Sequence, residues 1–284
     1  MRKRLNIRRL AAGSGSIRGL GYAAVRARAR IARPGAPPRV LVNSFPKSGT
    51  HLVTTALEQF PDMRYSGILV LPGESPELDW DELRRLLAGA KHGQYAVGHL
   101  WPEPEVLEIL EDLGYRVLLP VRDPRDIAIS TAMYAARNRR HPHHRRYSER
   151  YTTDADRILA AITGFAPDGL GPGAPSMGPP LYTFAPWLHA PATLVCRFED
   201  LVGEPGGGSR AAQIGVIREI GEHIARPVTE QDAERIATRT WSSASTTFRR
   251  GAVGEWRTRF DERHRDAFDR EVGDVLLVAY GYRS

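Results

Sequence analysis

Three places in this sequence combine residue types that can bind or move charged groups. The first is Ser44-Phe-Pro-Lys-Ser-Gly-Thr50. If a helix starts at its end, the first N–H groups of that helix have no backbone partner. They carry a partial positive charge, so an anion is stabilised there. Gly49 lets the backbone approach a phosphate closely. Lys47 adds a mobile full charge, and Ser48 and Thr50 add hydroxyl donors. A turn closed by an ordinary Ser/Thr helix cap would use the same residues. The stretch is not the nucleotide loop Gly-x-x-x-x-Gly-Lys-Ser/Thr, because the opening glycine is absent and the lysine precedes the second glycine.

The second place is Val121-Arg-Asp-Pro-Arg-Asp-Ile-Ala-Ile-Ser130. An arginine at a strand end and a serine two turns into the following helix can converge on one phosphate, the first as a planar fork and the second as a compact donor. A surface Arg–Asp network is the other reading of Arg122 and its neighbours. The third place is Tyr95-Ala-Val-Gly-His99. A histidine titrates near neutrality and can act as a general base, although a strand-end histidine can also be purely structural. His51, directly after the first loop, competes for that role and could instead contact a bound anion. His141, His143 and His144 are residue types that ligate metals, but Arg139, Arg140, Arg145 and Arg146 surround them and would repel a cation. No metal is expected, and the cluster reads as a flexible surface for an anionic acceptor.

These residues need rigid elements beneath them. Arg39–Phe45 has the short apolar run of a buried parallel strand, followed by a helix over 50–59. Gln94–Leu100 and Tyr115–Val121 read as further strands, with Pro120 suggesting the end of the second. Helices are expected over 103–113 and from Asp123 or Pro124 to Arg137, with proline at a permitted early position. Thr193–Phe198 reads as a fourth strand, and later helices as 209–225, 230–238 and 261–279. Strands alternating with helices predict an α/β fold with a central parallel sheet covered on both faces. Open sheets of this kind bind ligands at the C-terminal strand ends, where His99 lies.

The chain has 284 residues and a net charge of +7, which suggests an anionic partner. Much of the excess lies before Pro34, in residues such as Arg2, Lys3, Arg4, Arg28 and Arg33. Residues 1–38 read as a basic appendage and linker that either contacts anionic lipid peripherally or remains a solvated tail. Residues 39–284 read as one domain, with a variable Gly/Pro-rich insertion at about 138–192 and a helix near 154–163. Cys196 is the sole cysteine, which excludes an internal disulfide and fits a cytoplasmic setting. No apolar run approaches the length of a membrane-spanning helix.

Pro46-Lys-Ser-Gly-Thr50 resembles the 5′-phosphosulfate loop of sulfotransferases that use 3′-phosphoadenosine 5′-phosphosulfate (PAPS). In that family the lysine polarises the leaving phosphate. Arg122 and Ser130 then resemble the family's 3′-phosphate element. Phe248-Arg-Arg-Gly-Ala-Val-Gly-Glu-Trp256 is similar to the Arg-Lys-Gly-x-x-Gly-Asp-Trp element that closes over the same phosphate, with Arg250 for lysine and Glu255 for aspartate. Phe198-Glu-Asp-Leu201 resembles the Tyr-Glu-Asp-Leu strand end, where the aromatic lies near adenine. His99 resembles the histidine of the Lys-Thr-His-Leu-Pro segment, with Val97 in the place of lysine.

The resemblance runs from Arg39 to the C-terminus through four segments in the expected order, leaving out 1–38 and 138–192. It implies a P-loop-like three-layer fold and transfer of the sulfuryl group from PAPS to a hydroxyl or amine, with 3′,5′-ADP as product. His99 and Lys47 are then catalytic. Ser48, Gly49, Thr50, His51, Arg122, Ser130, Phe198, Trp241, Arg249, Arg250 and Gly251 join Lys47 in binding the donor. Leu52 replaces a tryptophan that packs on adenine in many members, which leaves stacking to Phe198 and Trp241. The cytosolic family's Lys-x-x-x-Thr-Val dimer motif is not evident around Arg257–Glu262, so the oligomeric state stays open. The Arg/His-rich insertion favours an anionic acceptor, such as an acidic glycan or a glycolipid, over a neutral phenol, and no nucleic acid is expected. The rival readings are a P-loop kinase or NTPase and a non-catalytic protein that binds anionic ligands.

Overall fold

The computed structural model describes residues 37–71, 79–240 and 252–283. The N-terminal half runs β1 (Arg39–Asn43), α1 (Thr50–Leu57), β2 (Arg64–Val70), α2 (Trp80–Ala88), β3 (Gln94–Gly98), α3 (Pro104–Asp112), β4 (Tyr115–Val121) and α4 (Pro124–Arg137). A π-helical turn at Arg146–Arg150, α5 (Asp154–Thr163) and α6 (Gly178–Phe184) lead to β5 (Thr193–Arg197). Then come α7 (Phe198–Leu201), α8 (Arg210–His223), α9 (Glu230–Thr240), α10 (Trp256–Arg259), α11 (Glu262–Glu271) and α12 (Gly273–Ala279). The appendage over 1–36 lies outside the described residues. Pro37 is already attached to the domain, its carbonyl accepting the Gly93 N–H.

The strands form one sheet in the order β2-β3-β1-β4-β5, and every pairing is parallel. The apolar run of β1 is buried on both faces, as expected for a central parallel strand. Val40 and Val42 join one core with Val53 and Leu57 of α1 and Ile217 and Ile220 of α8. Leu41 joins the other with Ile109 of α3 and Ile127 of α4. Two helical layers thus enclose the sheet, the α/β arrangement that the alternating pattern predicts. β3 and β4 flank β1 on opposite sides, and α1 and α4 pack on opposite faces. The C-terminal ends of these three strands lie at the switch in strand order, where open α/β sheets place their ligands.

β4 ends at Val121, one residue past Pro120, at the bounds read from the sequence, and it lies inside the sheet. Its ladder with β1 stops at Leu118, whereas pairing with β5 continues to Val121. The Val117 N–H points to the β5 side, so by alternation the missing N–H of Pro120 faces the side where β1 has already ended. Three expectations change. β2 and α2 were not anticipated. Phe198 opens the short helix α7 instead of closing β5. The helix expected over 261–279 breaks at Val272–Gly273 into α11 and α12. The segment 138–192 contributes Tyr147, Ile158, Leu181, Phe184 and the fully buried Trp187 to the core shared with β4 and α4.

Candidate active site

The loop between β1 and α1 is shaped by its backbone. Lys47 has φ 72, a left-handed conformation that costs a non-glycine residue about 1–2 kcal/mol. Gly49 has φ 114, and a Cβ there would lie 2.9 Å from Cδ2 of Phe198. Conformation and space both demand glycine at that position. Gly49 precedes the first turn of α1 and caps it with no side chain, which leaves the helix N-terminus to an external anion. Ser48 is buried and Thr50 half-buried, while His51 is exposed beyond the loop. The Ser44 Oγ lies 2.6 Å from Thr50 Oγ1.

His99 follows β3 and meets this loop. Asn43 and Leu100 exchange two hydrogen bonds, of 3.0 and 2.8 Å, extending the pairing of β1 and β3 past the strand ends. Trp187 Nε1 also donates to the Leu100 carbonyl at 2.8 Å. The His99 Nδ1 lies 2.6 Å from the Ser44 carbonyl oxygen. A carbonyl only accepts, so Nδ1 carries the proton and Nε2 keeps its lone pair. Burial lowers the His99 pKa below the ordinary histidine value; the Ser44 hydrogen bond opposes this, and the charge of Lys47 adds to it.

Arg122 stands at the end of β4, almost fully buried. Its guanidinium lies 4.2 Å from the ring centroid of Phe198, the ring that also packs against Gly49. Phe198 therefore joins the Ser44–Thr50 loop to the arginine. Arg122 Nη2 donates to the Ala252 carbonyl at 3.0 Å, and its Nε is buried with no hydrogen-bond partner among the described residues. A buried donor left unpaired is costly, so this atom suits an anionic ligand group. Burial pulls the Arg122 pKa down, while Asp126, Glu199, Tyr282 and Asp123 oppose the shift. Ser130 sits half-buried two turns into α4. These features fit the 3′-phosphate of the expected donor. Trp241, Arg249, Arg250 and Gly251, expected on the same ligand, lie outside the described residues.

Tyr134 and Asn138, near Lys47, were not singled out by sequence. The Lys47 ammonium sits 3.8 Å above the ring centroid of Tyr134 on α4. Asn138 Nδ2 holds the Tyr134 hydroxyl at 2.8 Å, and His141 packs edge-on against the same ring. A ring face attracts a cation without supplying a countercharge. Burial, and then the charge of Arg122, lowers Lys47 to about 8. His141 is lowered to about 4 by burial and by His143, Lys47 and His144, so it is neutral at pH 7. Tyr134 lies one helical turn beyond Ser130 on α4, and nothing in that spacing marks its contact with Lys47.

The 138–150 cluster is more tightly built than the expected flexible surface. Arg146 is buried, pairs with Asp168 and lies 4.4 Å from the Phe165 ring centroid. That arginine is committed to packing, and Arg139 and Arg140 remain exposed. Among the described residues, no group of three or more His, Cys, Asp or Glu is placed to hold a metal ion. No described helix is long and apolar enough to cross a membrane.

No family model and no curated protein matches this chain. Solved structures do. The chain is similar to mouse sulfotransferase SULT7A1 complexed with PAP, at 18% identity and a TM-score of 0.57, over 92% of each chain. It is also similar to retinol dehydratase in a complex with retinol and PAP, at 18% identity and a TM-score of 0.55, over 93% of this chain and 87% of the other. A second retinol dehydratase structure, with androsterone and PAP, gives 16% and 0.53. The chain has the P-loop-like sulfotransferase fold.

Proposed function

We propose that this protein is a sulfotransferase that moves the sulfuryl group of PAPS to a hydroxyl or amine and releases 3′,5′-ADP. The observation that carries this reading is the Phe198 ring, which packs on Gly49 of the first loop and beneath Arg122 of the second. Two phosphate-binding elements of opposite helical layers thereby face one crevice, with His99 beside them. The PAP carried by the structural relatives is chemically 3′,5′-ADP, which agrees with a donor recognised at both ends.

The acceptor oxygen or nitrogen attacks sulfur as the bond from sulfur to the bridging phosphate oxygen breaks. His99 Nε2 takes the acceptor's proton, because Nδ1–H is engaged by the Ser44 carbonyl. Lys47 stabilises the charge that develops on the departing oxygen, and the N-terminus of α1 holds the 5′-phosphate. Arg122 and Ser130 read the 3′-phosphate, with Arg249, Arg250 and the Gly251 backbone closing over it. Ser48 and Thr50 supply loop donors, His51 contributes at the helix start, and Phe198 and Trp241 contact adenine. The scheme needs no metal.

A glycan or glycolipid acceptor is supported by exposed Arg139 and Arg140 near the site. A second reading, an apolar small molecule, is favoured by the contacts of Phe184 with Phe45 and Trp101. Phe45 belongs to the phosphate loop and Trp101 follows His99 by two residues. The related structures hold retinol and androsterone. The basic composition of residues 1–38 supports either peripheral contact with an anionic surface or a solvated tail, in a cytoplasmic enzyme. Residues 39–284 form the catalytic domain, in which 138–192 shapes the acceptor side.

Calorimetric titration with 3′,5′-ADP and with Mg·ATP tests the donor assignment. Tight binding of 3′,5′-ADP and weak binding of Mg·ATP are expected. The reverse preference would make the protein a kinase or NTPase.

A further inference from the structure

Asp126 sits in the first turn of α4 and is only 1% exposed. Neither carboxylate oxygen is spent on its own helix. Oδ2 accepts the Gly254 N–H at 2.7 Å, and Oδ1 accepts the Trp256 N–H at 3.0 Å. Those amides lie 128 and 130 residues away along the chain. Oδ2 also lies 4.0 Å from Nη2 of Arg122, one turn before it. Arg122 grips the same distant segment through the Ala252 carbonyl. Val253 N–H adds a third anchor by donating to Gly206. The pair therefore forms a closed circuit, in which arginine and carboxylate bind each other and both bind 252–256.

We propose that Asp126 is a positioning residue for recognition of the donor's 3′-phosphate, holding Arg122 and the Ala252–Trp256 backbone as one preassembled unit. The proposal rests on the donor-site reading above. An aspartate is required because two amides need two acceptors. An asparagine has the same shape but offers one acceptor and one donor, so it would turn an NH₂ towards one of the amide N–H groups. It would also remove the negative neighbour of Arg122. A residue that served only to start α4 would have no reason to direct both oxygens at a segment from the other end of the chain.

The test compares 3′,5′-ADP with 5′-AMP, which lacks the 3′-phosphate, on the full chain and on Asp126→Asn. The variant should lose roughly tenfold or more in affinity for 3′,5′-ADP, the scale of one charge-assisted hydrogen bond. It should keep its affinity for 5′-AMP. An unchanged ratio, or an equal loss for both nucleotides, overturns the proposal. Hydrogen–deuterium exchange on the wild-type chain serves if the variant does not fold. There 3′,5′-ADP should slow exchange at 252–256 and 5′-AMP should not, and equal protection by the two overturns the proposal. If the wild-type chain itself binds the nucleotides equally, the donor-site reading fails and the inference is withdrawn with it.

Discussion

The Ser44–Thr50 loop with His99 and the Arg122–Asp126 turn with its C-terminal partners face one crevice but are built differently. The loop is held by its backbone. Its lysine rests on an aromatic ring, and its histidine is oriented by one carbonyl. The turn is a network of buried charges. Asp123 pairs with Arg125 at 2.8 Å, and Arg125 reaches the Arg283 carbonyl and stacks 3.8 Å from the Trp256 ring centroid. Glu199 accepts both the Asp123 N–H and the Tyr282 hydroxyl. Removing one partner of such a network leaves an uncompensated charge, which costs several kcal/mol. The contrast separates two tasks. A recognition element gains from being rigid before the ligand arrives. On the proposed reading, His99 and Lys47 handle a moving proton and a developing charge, and burial lowers the pKa of both.

Breaking the loop side should therefore cost turnover and spare nucleotide binding. His99→Ala has the largest expected effect, a fall in turnover of roughly 10²–10⁴-fold with 3′,5′-ADP affinity retained. Steady-state kinetics beside calorimetry would check this. His99 must be neutral to accept a proton, and its pKa is lowered. The acid limb of kcat/KM should consequently lie below the ordinary histidine value and vanish in the variant. Lys47→Ala should lower kcat by roughly 10²–10³-fold, comparable to losing one transition-state donor. Lys47 must be protonated to stabilise the leaving group, and burial and the charge of Arg122 lower its pKa to about 8. The kcat/KM for the donor should fall as pH rises through that value, and a flat alkaline profile in the wild-type chain would remove the lysine from the mechanism.

The recognition side should show the opposite pattern with a smaller effect. Arg122→Lys keeps the charge and loses the fork. It should weaken 3′,5′-ADP by roughly tenfold relative to 5′-AMP. Turnover at saturating PAPS should change little. A large loss of kcat with unchanged affinity would erase the division between the two regions.

Much of this site was legible because its chemistry is local. The phosphate loop, the Arg122 strand end and His99 each sit at the C-terminal end of a strand whose apolar run announces it, and β4 and α5 match their expected bounds. β2 was not legible. Its sequence Arg-Tyr-Ser-Gly-Ile-Leu-Val carries a glycine at φ 81, and its register with β3 shifts between Tyr65 and Leu69. The bulge breaks the alternation by which a strand is recognised. α2 did carry a signal, since Asp79 caps it and Asp81 and Glu82 fill its first turn. Tyr134 and Asp126 were hidden for another reason. Each acts through a contact made only when distant segments meet, so neither spacing nor composition marks it. Arg146 shows the converse, because a basic cluster in sequence does not reveal which member is buried against Asp168.

Transfer of radiolabelled sulfate from PAPS is the measurement closest to the central claim. The full chain would be incubated with labelled PAPS and a panel of phenols, sterols, glycans and glycolipids, and with a cell extract as a source of unknown acceptors. The account predicts label in at least one acceptor, stoichiometric release of 3′,5′-ADP, and loss of both in Lys47→Ala. Tight binding of 3′,5′-ADP with no labelled product from any acceptor or from the extract would contradict it, and would leave a nucleotide-binding protein that is not a sulfotransferase.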